Sequence, residues 1–191
     1  MKRLAIAVAV GALFSGTVLA QQGTVQRDVN QQQRIEDGLK SGQLTTGEAS
    51  RLEAEQARIQ RDQANAKRDG VVTPAEKARL EREQNRASRD INRLENNGRT
   101  GDPTSASSQR MQADVQRNVN QQQRIENGLK SGALTTREAG RLERGEARID
   151  RKEARAERDG NVSAGEQARI QTAENRESRR IYRQKHDAQT R

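Results

Sequence analysis

The sequence predicts an all-α chain: a tandem duplication of a three-helix unit, helix-turn-helix-turn-helix in each copy, with a flexible linker between the copies. Three observations carry the prediction. Shifted by ninety positions, RDVNQQQRIEDGLKSGQLTT from Arg27 returns as RNVNQQQRIENGLKSGALTT from Arg117, and the likeness continues to SRDINR at Ser88 and SRRIYR at Ser178. That is the self-similarity of a duplicated unit. The composition is rich in Arg, Glu, Ala, Gln and Lys, which are good helix formers, with 33% charged residues and a mean hydropathy of -1.17. Finally, one phrase of helix punctuation recurs four times: GQLTTGEASRLE at Gly42, GVVTPAEKARLE at Gly70, GALTTREAGRLE at Gly132 and GNVSAGEQARIQ at Gly160.

Residues 1–20 read as a leader. MKR is a basic head, LAIAVAVGALF an apolar stretch too short to span a bilayer, and SGTVLA ends in small residues, the pattern of a secretory signal cleaved near Ala20. The expected location is periplasmic or secreted. There are no cysteines, so no disulfide supports the fold and no lipid anchor follows the cleavage site.

The mature chain divides into a first helical repeat (21–97), a linker (98–116) and a second helical repeat with a basic C-terminal end (117–191). Helices are expected over 26–40, 46–67 and 74–96, with counterparts ninety positions on. At each joint a glycine can take the left-handed conformation that ends one helix. A hydroxyl residue followed three places later by Glu then forms a capping box that starts the next: Thr45 with Glu48, Thr73 with Glu76, Thr135 with Glu138, Ser163 with Glu166. Pro74 suits the first helical position, where its missing N–H costs nothing. Between the copies NNGRTGDPTSASS is rich in Gly, Ser and Thr, the composition of a linker.

Apolar residues form narrow stripes. Leu52, Ile59 and Ala66 fall seven apart, and Leu80, Ala87, Ile91 and Leu94 keep a similar spacing; Gln56, Gln63 and Gln84 interrupt them. Such seams suit helices pairing with one another or with a partner.

The joints also resemble the second half of an EF-hand calcium loop, in which a glycine makes the sharp turn and a closing Glu supplies two oxygens. The first half departs from that pattern. Lys67 stands where a carboxylate belongs in the Gly70 loop, Arg155 opens the Gly160 loop, and Leu39 and Leu129 spoil the other two. Capping accounts for Gly, Thr or Ser, and Glu at every joint without an ion. The resemblance implies calcium as the cation, and its best ligand set is Glu157, Asp159, Ser163 and Glu166.

The chain carries 36 Lys and Arg against 27 Asp and Glu, net +9. The first copy is close to neutral, with expected surface pairs Glu36–Lys40, Arg51–Glu55 and Arg58–Asp62. The surplus concentrates in RESRRIYRQKHDAQTR, where Arg176, Arg179, Arg180, Arg183 and Lys185 could meet an anionic envelope surface. Tyr182 is the sole tyrosine, and no other aromatic lies near it for base stacking, so nucleic acid is not an expected partner. His186 is the only histidine and lacks company for metal ligation. Nothing groups a nucleophile, a base and an oxyanion donor, so no catalytic residues are expected.

Two further resemblances bear on function. LTTGE at Leu44 and LTTRE at Leu134 resemble the LTxxQ motif of the Spy/CpxP family of periplasmic stress proteins, with Glu in place of Gln, which implies chaperone or sensor work. The pattern IENGLKSGxLTxxEAxRLE is similar to that of uncharacterised exported proteobacterial proteins, a resemblance that covers both copies and implies no activity. The expected function is that of an exported, non-enzymatic helical interaction or structural protein of the cell envelope, binding a protein partner or itself through its helix faces. The alternatives are a divalent-cation-binding EF-hand-like module and a periplasmic stress chaperone or sensor.

Overall fold

The computed structural model describes residues 15–187, with side chains over 23–187. The expected leader therefore lies, over residues 1–14, outside the described residues. Six α-helices are present: α1 (Ser15–Ser41), α2 (Thr46–Ala66), α3 (Pro74–Glu95), α4 (Ala106–Ser131), α5 (Thr136–Ala156) and α6 (Ala164–Lys185). No strand occurs among the described residues. None of these helices is long and apolar enough to cross a membrane. Helix α1 begins well before the expected position 26, and α4 begins in what was expected to be linker.

The joints form as the punctuation dictates. Gly42, Gly70, Gly132 and Gly160 have φ of 77°, 94°, 78° and 76°, a region costly for any residue with a Cβ. All four capping boxes are complete, each hydroxyl accepting from the Glu backbone and each Glu side chain accepting from the cap backbone. Two of the orphan N–H groups at each helix start are thereby satisfied.

The two copies pack against each other. The broadest helix contacts are α2 with α5 and α1 with α4, both between copies. Both pairs are antiparallel. Thr46 and Ser50, early in α2, bond to the carbonyls of Gly160 and Ala154 at 2.7 and 3.2 Å, while Lys67 at the α2 end meets Glu143 near the start of α5. Helix α3 lies on α1 and α2, and α6 on α4 and α5. The result is a six-helix bundle with an approximate internal twofold relation.

The apolar core is split into two ends. One joins Ile35, Leu39, Leu44, Leu52, Ile91 and Leu94 of the first copy to Met111, Val115 and Val162 of the second. The other joins Ile125, Leu129, Leu134, Leu142 and Ile181 of the second copy to Val25 of the first. Val25 and Val115 occupy equivalent repeat positions, so each copy lends a valine to the other's core. The stripes Leu52, Ile59, Ala66 and Leu80, Ala87, Ile91, Leu94 are buried within the chain.

Two expectations are corrected. Residues 98–116, read as a flexible linker, are folded. Gly101 N–H bonds to Gly42 carbonyl at 2.8 Å, Asn97 donates to Glu48 at 2.7 Å, and Ser105 caps α4, which is helical from Ala106. Glycine is required at 101 because the backbone of Leu44 and Thr45 lies against it. Of the expected surface pairs, Lys40–Glu36 forms, but Asp62 takes Arg61 and, from α3, Arg79 in place of Arg58. The pairing with Arg79 reaches across elements that the linear spacing could not show.

At Gly38, near the end of α1, an added Cβ would lie 2.7 Å from the Leu44 side chain, and at the equivalent Gly128 it would lie 2.5 Å from Leu134. Nothing lies within 4 Å of a Cβ at Gly47 in the first turn of α2. Gly38→Ala is therefore expected to destabilise by about 1–3 kcal/mol through overpacking, despite alanine's helix preference. Gly47→Ala is expected to stabilise by roughly 0.5–1 kcal/mol. Urea unfolding of the two variants checks both signs.

Candidate metal centre in the bundle interior

Between the two apolar ends, α2 and α5 face each other with polar side chains. Superposing the copies position by position shows an exchange of chemistry. Gln56, Gln60 and Gln63 of α2 correspond to Glu146, Asp150 and Glu153 of α5; Lys67 corresponds to Glu157, and Gln84 of α3 to Glu174 of α6. All ten side chains are buried. At these five positions the first copy carries four amides and one ammonium, and the second carries five carboxylates.

The same point of the fold is solved in two ways. At one end of the α2–α5 pair, the Lys67 ammonium contacts the Glu143 carboxylate, and both side chains are almost wholly buried. Gly140 makes room for the lysine, since a Cβ there would lie 2.8 Å from the Lys67 Cβ. At the other end, Glu53 stands in the position of Glu143, and the residue in the place of Lys67 is Glu157. Where one half holds an ion pair, the other holds two carboxylates.

Around Glu53 the acids converge. Glu53 of α2 and Asp150 and Glu153 of α5 are each 0% exposed. Each offers a carboxylate oxygen within 4.8 Å of the others. Gln32 of α1 donates to Glu53 Oε2 at 3.0 Å, and Asn118 of α4 donates to Glu153 Oε2 at 2.8 Å. These amides orient the two glutamates and leave their Oε1 atoms, together with both oxygens of Asp150, without a hydrogen-bond donor. The equivalent contact in the first copy is polarity-reversed: Gln63 Nε2 donates to Asp28 at 3.1 Å. There, two neutral amides serve the acid, since Gln84 Nε2 also donates to Asp28 Oδ1 at 2.8 Å.

Burial without donors is expensive for a charged carboxylate. Desolvation raises Asp28 and Glu53 to about 7, Asp114 to about 6 and Glu174 to about 8. It drives Glu146, Asp150, Glu153 and Glu157 well above the ordinary range, reinforced by the neighbouring acids: Glu177 and Glu174 around Glu146, Glu53 and Glu146 around Asp150, Asp150 and Glu53 around Glu153, and Glu53 and Asp114 around Glu157. The shifts favour the protonated, neutral form of these acids, and a bound cation would compensate the charged form in its place. Three oxygen ligands with no nitrogen or sulfur favour a hard ion such as Ca²⁺, Mg²⁺ or Mn²⁺.

The structure does not bring together the four ligands expected from the joint. Ser163 and Glu166 are engaged in the capping box, Glu166 Oε2 accepting from Ser163 N at 3.0 Å and Oγ at 2.6 Å. Asp159 accepts from Asn161 N at 3.0 Å, closing its own turn. Glu157 alone turns inward, buried at the end of α5. Among the described residues, the one group of three or more candidate ligands is Glu53, Asp150 and Glu153. These do not stand out in the sequence because Gln63, the ninety-residue counterpart of Glu153, reads as an interruption of an apolar stripe. The available signal was the systematic replacement of glutamine by acid at one helix face of the second copy.

Arg124 bonds to Ser178, and Arg180 lies 3.7 Å from Glu177. Arg176, Arg179 and Arg183 line an open hollow with Tyr182. His186 stacks on Tyr182, with ring centroids 4.2 Å apart. Comparison with known family models, curated proteins and solved structures gives no match for this chain.

A raised carboxyl holds its proton in the folded state at a pH where the unfolded chain has lost it. The stability it supplies is full below about pH 4 and declines as pH rises through its folded value. Cation-free protein is therefore expected to melt at a lower temperature at pH 8 than at pH 5. Glu174→Gln, which installs the residue that the first copy already carries at Gln84, should flatten that dependence by about 1.4 kcal/mol per pH unit. Thermal melts of both proteins across that range provide the measurement.

Proposed function

We propose that this chain is an exported, non-enzymatic helical protein that binds a hard divalent cation at the centre of its bundle, through Glu53, Asp150 and Glu153. The observation that carries this reading is Asp150, wholly buried, both oxygens without a donor, and within reach of two further carboxylates. The Lys67–Glu143 pair supports it, because the protein provides its own cation at the equivalent position of the other half. The reading keeps the expected ligand class and moves the site from the joint to the interior.

Binding of the ion would displace protons from the three acids, so affinity rises with pH. It would also tie Glu53 of the first copy to Asp150 and Glu153 of the second. The cation would thus set how firmly the halves hold together, a structural or sensing role with no bond made or broken. The expected partner binding through apolar helix seams has less support, since those seams are buried within the chain. Val71 and Tyr182 are the large apolar side chains left exposed among the described residues.

The test is a titration of chelator-treated protein with Ca²⁺, Mg²⁺ and Mn²⁺, followed by calorimetry and circular dichroism melts. The metal-free protein should remain helical, because the caps need no ion. One equivalent of cation should bind with proton release, and at a hundred times Kd it should stabilise the fold by about 2.7 kcal/mol. Asp150→Asn should melt higher than the parent without metal and lose the response to it. No heat and no melting change with any of the three ions at millimolar concentration, or an undiminished response in Asp150→Asn, would refute the proposal.

A further inference from the structure

Helix α5 turns its carboxylates inward, as α2 does Glu48 and Glu53, and much of what the pair leaves outside is arginine. Where the start of α2 runs beside the end of α5, a trough of about 600 Å³ opens between Arg51, Arg58 and Arg61 on one wall and Arg151, Arg155 and Arg158 on the other. Its floor is made of small residues, Ser50, Ala54 and Ala154, with Gly47 and Gly160 at one end. The small floor lets the helices approach and keeps the space between the guanidinium walls open. All six arginines are exposed.

Of the six, Arg61 alone lies within 4 Å of a carboxylate oxygen among the described residues, Asp62 at 3.2 Å. Asp159 is the only acid lining the trough. The groove on the opposite flank of α2 is different: there Arg51, Arg58, Arg61 and Arg86 face Glu55, Asp62, Glu83 and Asp90. The same arginine ridge is therefore balanced toward α3 and unbalanced toward α5. The imbalance follows from the interior, because Asp150, Glu153 and Glu157 point away from the trough that Arg151, Arg155 and Arg158 line.

We infer that the α2–α5 trough binds a phosphate-bearing polyanion chain. Guanidinium forks match phosphate oxygens in pairs and stay charged at every relevant pH. Arg51 and Arg58 lie two helical turns apart, roughly 10 Å, so an extended chain several phosphates long can reach both arginines. A concave trough suits a strand better than a flat lipid surface. It has no aromatic lining, so it offers phosphate contacts without stacking of bases.

The probe is fluorescently labelled inorganic polyphosphate, titrated by anisotropy in the presence of a chelator so that no cation bridges the two. The native protein should bind, with affinity falling as salt rises. Arg155→Ala/Arg158→Ala should weaken binding by about tenfold or more and make the salt dependence shallower, the mark of lost phosphate contacts. Arg179→Ala/Arg183→Ala on α6, with the same change in net charge, should alter it by less than about twofold. Equal weakening by the two double variants would reduce the effect to overall charge and overturn the assignment. So would the absence of polyphosphate binding, or a preference for phosphatidylglycerol vesicles over polyphosphate.

Discussion

The interior of this bundle is organised by carboxylates that have been removed from water with too few cations beside them. Lys67 neutralises Glu143, but Glu53, Asp150, Glu153 and Glu157 face one another without any ammonium or guanidinium partner among the described residues. A low-dielectric surround magnifies both the attraction at the first place and the repulsion at the second. The apolar clusters at the two ends hold the helices in register and oblige these acids to remain together. Protonation relieves the field, so the chemistry of the centre is a consequence of packing at the ends.

Duplication makes this arrangement possible. In a symmetric homodimer every substitution appears twice, and a lysine on one side of the axis implies a lysine on the other. Here both halves belong to one chain, so Lys67 and Glu157 can occupy equivalent positions with opposite charge. The same freedom lets Gln63 donate to Asp28 where Asn118 donates to Glu153. One half carries amides at positions where the other carries acids, and the first half's Glu53 joins Asp150 and Glu153 of the second in one cluster. Charge segregation follows, with acids gathered in the centre and arginines left along the α2–α5 trough.

Much of the fold was legible because its signals are local. Gly42, Thr45 and Glu48 sit within seven positions of one another, and their geometry follows from backbone hydrogen bonding alone; the same holds at the other three joints. Helix limits agree to within a residue or two except where α1 and α4 begin, since Gly, Ser and Thr around 98–108 carry no apolar period and Ser105 reads equally as linker or cap. The association of the copies was not legible. A narrow stripe such as Leu52, Ile59 and Ala66 says that something must cover it, without saying that the cover lies ninety residues on. The centre was hidden for the same reason: Glu53 and Asp150 are far apart in sequence, and an acid on a helix reads as surface until its neighbours across the interface are known.

The exchange of Val25 and Val115 has a temporal meaning. Neither apolar end is complete until both halves of the polypeptide are present, because each is closed by a residue from the other half. The loop that must be closed before this burial brings any gain spans about half the chain, and such distant encounters slow the search for the native state. While synthesis is unfinished, the leading half waits with its greasy face uncovered, open to proteases and to mispairing with another incomplete molecule. Lending core side chains across the two halves therefore delays maturity until the last helices arrive.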